Sequence, residues 1–172
     1  MTLVEFVRMA VDALHSHVQD DVKELTPQQL SYRPAPEGNN IAFLLFHQVR
    51  VEDQIVSGLL KGAPPVWVQE KWHEKLGFDP GVLGIGFTPE QVEDLSYPLD
   101  EFLRYADKVW ESTSEYLGGL KDEDLAREVN APMLPEIKDV AGLIYGVIIA
   151  HGWWHTGEIL YLKGLQGWRY RL

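Results

Sequence analysis

The chain has 172 residues, no cysteine and a formal net charge of -11. That length suits one domain, residues 1–172, with an interior large enough to fold without covalent staples. The missing cysteines exclude disulfides, thiolate ligands and a cysteine nucleophile, and fit a cytoplasmic protein; the acidic balance argues against a nucleic-acid partner.

Residues 1–25 read as a first long helix, with Leu3, Val7, Ala10, Leu14, His17 and Asp21 on one stripe. This segment lacks the basic-then-apolar order of a signal peptide. His17 lies at the stripe's edge, where a local hydrogen bond explains it better than a ligand role. Pro27 opens a short turn to Leu30, and residues 31–39 form a loop. Asn39 or Asn40 caps a second helix running to about Lys61, apolar over an unusually wide surface. Within it His47 shares a stripe with Phe43, Val51, Gln54 and Gly58, and Arg50, Glu52 and Asp53 follow close behind.

Gly62-Ala63-Pro64-Pro65 stops that helix. Residues 66–87 then read as a long connection with one helical turn around Val68–Glu74. Its aromatics Trp67, Trp72 and Phe78 either cover a binding site or close one end of the core. His73 sits in this loop, where a solvated or supporting role outweighs ligation. Thr88-Pro89-Glu90-Gln91 starts a short helix to Leu95, and Pro98 a third long one ending at Gly118-Gly119. Residues 121–127 are a polar turn with room for a short helix, and 130–135 a loop.

The last long helix begins near residues 136–139 and ends near Gly164. Ile137, Ala141, Ile144, Ile148, His151, His155, Ile159 and Leu162 fall on one narrow stripe. Its apolar run, Val140 to Trp154, is short for a membrane span and is broken by His151. Gly142, Gly146, Gly152 and Gly157 each cost about 1 kcal/mol of helix stability, which points to close approach by a neighbour. Trp153 and Trp154 point away from the histidine stripe, and residues 167–172 are a polar-aromatic tail. The pattern predicts an all-α four-helix bundle, the long connection letting helices two and three run parallel.

His151 and His155 stand one above the other inside an apolar seam. Two imidazoles so placed can grip one divalent metal, and His47 is the best third ligand. Three histidines leave a coordination position free, the arrangement of a catalytic rather than a structural site. The alternative is a set of core histidines bonded to carbonyls or tyrosines. Glu158, one turn beyond His155, is a fourth ligand, a base, a partner of a ligand, or a rim glutamate.

Three stretches, taken in order, carry a resemblance: Leu25-Thr26-Pro27-Gln28-Gln29-Leu30-Ser31-Tyr32-Arg33-Pro34-Ala35-Pro36, then Asn40-Ile41-Ala42-Phe43-Leu44-Leu45-Phe46-His47, then His151-x-x-x-His155-Thr156-Gly157-Glu158-Ile159. Together they resemble the DinB-like superfamily, which includes bacillithiol- and mycothiol-dependent transferases and isomerases. The resemblance implies a four-helix bundle with a divalent metal, zinc or nickel, on His47, His151 and His155. The family's commoner glutamine is Glu158 here. Family members are linked to thiol transfer, isomerisation and hydrolysis, so the resemblance does not fix a reaction; the first reading is a thiol-dependent transferase acting on a small molecule, with a low-molecular-weight thiol as partner. A metal-dependent hydrolase and a non-catalytic metal- or ligand-binding bundle in stress response are the competing readings. Related bundles often pair as homodimers, which the glycines and wide apolar surfaces here permit.

Overall fold

The computed structural model of the protein describes residues 1–168, so residues 169–172 of the expected polar-aromatic tail lie outside the described residues. Four long helices form the bundle. They are α1 (Leu3–Val22), α3 (Ile41–Asp53) with its continuation Gln54–Leu60, α7 (Leu99–Gly118), and α9 (His151–Leu165) with the turns that lead into it. Short helices link them: α2 (Pro27–Ser31), α4 (Val66–Gln69), α5 (Trp72–Leu76) and α6 (Pro89–Asp94); α8 (Val140–Leu143) is the first turn of the last long helix and runs unbroken through Ile144–Ala150 into α9. A 3₁₀ turn, Asp122–Ala126, follows α7.

The helices start where their side chains satisfy the free amides of the first turn. Thr2 with Glu5, Thr26 with Gln29 and Thr88 with Gln91 form reciprocal capping boxes. Asn40 accepts from the Phe43 amide, and Asp139 from that of Gly142. Asn40 also donates to the Val92 carbonyl, tying the start of α3 to α6.

α1 and α3 each pack against both α7 and α9. Along α1 and α7 the partners run oppositely: Arg8 lies against Gly118, His15 stacks on Trp110, and Gln19 bonds Asp107. Along α3 and α7 they run together, from Tyr97 on Ala42 through Phe102 on Phe46 to Thr113 on Glu52. The second and third long helices are therefore parallel, which the long connection allows. α1 and α9 also run together, since Leu14 meets Gly152 and Asp21 meets Lys163.

The connection differs from expectation in having two short helices, α4 and α5, in place of one turn. Trp67, Trp72 and Phe78 settle into the main core around Phe46 and Tyr105. These aromatics close the core, and a later part of the connection covers the site. The face of α1 also differs. Val4, Val11, Leu14, His15, Val18 and Val22 are buried, while Leu3, Phe6 and Met9 are half exposed. α1 is apolar on two adjoining stripes, and contact with α7 and α9 chooses between them.

The interior holds charge. Glu52 accepts from Thr113 at 2.6 Å and bonds His15 at 3.0 Å, with both partners buried. One face on, Asp53 accepts from Arg50, Tyr105, Ser57 and the backbone amides of Val66 and Trp67. Arg50 lies 4.5 Å above the Trp67 ring and donates to the Val82 carbonyl. A buried ion pair thus ties both ends of the crossover to the second long helix.

Candidate metal centre

The second and last long helices both contain a π-helical stretch, Gln54–Leu60 in one and Ile144–Ala150 in the other. Such wide turns re-aim the side chains that follow and recur at functional sites. The second ends where α9 begins, at His151. His47 projects from α3 toward it, so imidazoles 104 residues apart in sequence meet.

The Nε2 atoms of His47 and His151 are 3.2 Å apart, and those of His151 and His155 are 2.9 Å apart. All three residues offer a ligand atom within 4.8 Å of one another. Nitrogens bound at about 2.0–2.1 Å to one cation stand roughly 2.9–3.4 Å apart for right-angled to tetrahedral geometry. The observed separations fit that range.

The far sides of the rings decide which nitrogen faces inward. His47 Nδ1–H donates to the Leu83 carbonyl at 2.8 Å, and His155 Nδ1 meets the Glu158 carboxylate at 2.6 Å. Those hydrogen bonds place the ring protons on Nδ1 and leave both Nε2 lone pairs facing inward. His151 Nδ1 is buried with no well-formed hydrogen bond among the described residues, and only the Val147 carbonyl one turn back pulls weakly on its proton. Lone pairs so close repel unless a proton or a cation stands between them. The triad can therefore hold a metal ion.

Burial lowers the His47 imidazole below its usual value, while the Leu83 carbonyl pulls the other way. Burial first, then the neighbouring His155 and His47 rings, push His151 down to about 4. Both rings are neutral near pH 7, the state that ligates. The Leu83 carbonyl is in turn held by its neighbour, because Arg50 fixes Val82 from inside the bundle. Gly84 completes the turn with φ +78°, and a Cβ there would press Phe43 at 3.2 Å and His47 at 3.4 Å. Glycine allows both the backbone conformation and the close approach.

Beside the triad lies a cavity of about 700 Å³. α3 supplies Phe43, His47 and Val51, the crossover supplies Leu83 to Gly86, and Met133, Leu134 and Ile137 come from the loop before α8. Trp154 lines it as well, correcting the expectation that both tryptophans turn away from the histidines. Trp153 does turn away, packing edge-on against His17. Position 154 follows His151 by three residues, so it shares that side of the helix.

The other histidines stay out of the centre. His17 bonds the Ala13 carbonyl on its own helix, and His73 bonds that of Trp67. Glu158 touches the side of His155 away from the triad, where it orients the ring. Buried His15 lies off the stripe of Leu3, Val7, Ala10 and Leu14, so helical spacing alone does not single it out. The cavity loops 83–86 and 133–137 carry no periodicity to reveal them. Close approach does explain Gly152, whose Cβ would stand 2.5 Å from Leu14, but not Gly157, beside which nothing lies within 4 Å.

No curated protein matches the chain. A solved structure does, described as the conserved protein of a locus from Enterococcus faecalis, with a TM-score of 0.81 at 20% identity over 96% of this chain and 97% of that one. Likeness at that identity speaks for the fold alone. The family model described as the DinB superfamily matches residues 8–159. With a helical bundle of that fold and a triad able to hold a metal at its centre, the chain belongs to the DinB superfamily.

Proposed function

We propose that the protein is a divalent-metal-dependent enzyme, a thiol-dependent transferase acting on a small molecule. The carrying observation is the convergence of three Nε2 atoms at the floor of a cavity large enough for a small molecule. His47, His151 and His155 would hold the ion, zinc or nickel. When bound, such an ion supplies Lewis-acid chemistry, lowering the pKa of a thiol or water that reaches it.

The remaining groups position. The Leu83 carbonyl and Glu158 fix two of the rings, and the apolar walls orient an electrophile and exclude water. Hydrolysis is the second reading. It is favoured by the lack, among the described residues, of any lysine or arginine on the cavity wall to receive a thiol's carboxylates. A homodimer in the cytoplasm remains part of this proposal. No helix among the described residues is long and apolar enough to cross a membrane.

Metal analysis of the purified protein tests the first step. One equivalent of zinc or nickel is expected, lost in His155→Ala and retained in His73→Ala. Thiol-dependent consumption of aryl and alkyl electrophiles, and hydrolysis of neutral esters, would then be assayed with and without chelator. A chelator-sensitive turnover that needs thiol supports transfer, and one that does not supports hydrolysis. A protein without metal, or indifferent to loss of His155, would refute the reading.

A further inference from the structure

The cavity wall carries information about what enters it. Phe43, Val51, Ile55, Ile137, Val147 and Trp154 supply carbon, and among the described residues no lysine, arginine, aspartate or glutamate lines it. Apart from the histidines, Gln54 offers the one side-chain amide. The Arg50 guanidinium, three residues from His47, is only 1% exposed and spent on Asp53, Tyr105 and Val82. The charge beside the triad belongs to Glu158, which is of the wrong sign to welcome an anion. The chain as a whole carries -11.

An anion held in the body of this space, away from the triad and any ion on it, loses its hydration and gains no counter-charge from a described side chain. An apolar group loses nothing and gains contact with the walls. We propose that the cavity takes an uncharged, mainly apolar molecule whose single reacting polar group lies at the three Nε2 atoms. Its body fills the carbon-lined space, and any second polar group on it is neutral and meets Gln54. A thiol co-substrate bearing carboxylates keeps them in solvent outside the mouth. This deepens the enzymatic reading above and rests on it for the reacting end of the molecule; the choice of a neutral, apolar body rests on the cavity alone.

A matched pair of fluorescent probes tests it. N-phenyl-1-naphthylamine is uncharged, and 8-anilinonaphthalene-1-sulfonate is the same ring system with a sulfonate added. Both would be titrated into the chelator-treated full chain in high salt, which screens the overall charge. The neutral probe is expected to bind at least tenfold more tightly. Val51→Trp, which fills the cavity, should weaken it at least tenfold. Ile55→Lys, which places a cation on the wall, should shift the preference at least tenfold toward the sulfonate. Circular dichroism checks that each variant is folded, and Ile55→Lys alone suffices if Val51→Trp is not. Equal or tighter sulfonate binding to the unaltered chain would overturn the proposal, as would folded variants that leave both affinities unchanged. Zinc titration of the same sample separates the two readings. If zinc fails to bind while the neutral probe binds as expected, the metal reading falls and the cavity assignment stands. If zinc binds and the sulfonate is preferred, only the cavity assignment falls.

Discussion

Removing Asp53 should harm the protein more than removing Arg50, although the two form one buried ion pair. Arg50→Met takes away one donor and leaves the Asp53 carboxylate accepting from Tyr105, Ser57 and the amides of Val66 and Trp67. Asp53→Ala strands those donors together with a guanidinium that is 1% exposed. Breaking a buried pair costs about 3–5 kcal/mol, and each stranded buried donor about 1–3 kcal/mol. Arg50→Met therefore falls near 3 kcal/mol, and Asp53→Ala at about 5 kcal/mol or more. Against a total of about 5–15 kcal/mol, the second leaves a substantial unfolded population. Equilibrium urea unfolding followed by circular dichroism measures both. Arg50→Met also frees Val82, so Leu83 holds His47 less firmly, and zinc affinity should fall about tenfold. Equal losses of stability, or a larger loss for Arg50→Met, would show that the carboxylate does not organise the crossover as described.

Glu158→Gln should weaken zinc binding about 10–100-fold by calorimetry while leaving the melting temperature of the metal-free protein nearly unchanged, because Glu158 orients one ligand from an exposed position. The metal-free protein should lose stability as pH falls from 6.5 toward 4. Unfolded histidine takes a proton near 6.5, whereas folded His151 waits until about 4 and His47 is also lowered, so the unfolded chain binds more protons throughout that window. His151→Ala should flatten the slope of melting temperature against pH, and an unchanged slope would place the titration elsewhere. Two glycines of α9 should respond oppositely to alanine. Gly152→Ala drives a methyl into Leu14 and should cost about 1–3 kcal/mol. Gly157→Ala meets nothing and should gain about 0.5–1 kcal/mol of helix propensity, both read from urea midpoints.

The bundle was legible in the chain because its causes are local. Capping threonines and asparagine, prolines at first turns and apolar residues at helical spacing each act within a few residues, so helix number and most boundaries follow from them. The spacing of His151 and His155 is local as well, and only their shared stripe is needed to put them on one face. The long connection allowed the second and third helices to run parallel, and packing takes that option. What neighbours decide was not legible. α1 has two stripes that could turn inward, and packing against α7 and α9 buries His15 while leaving Leu3 half exposed. Trp67 and Trp72 gave no sign whether they close the core or cover the site, because that depends on where Asp53 caps α4.

Helices, their order and three candidate imidazoles thus follow from short-range stereochemistry or residue type. Packing alone brings His47 to 3.2 Å from His151, turns the ring nitrogens inward through Leu83 and Glu158, and opens an apolar cavity beside them. Those facts depend on contacts between residues tens of positions apart, which no local periodicity encodes.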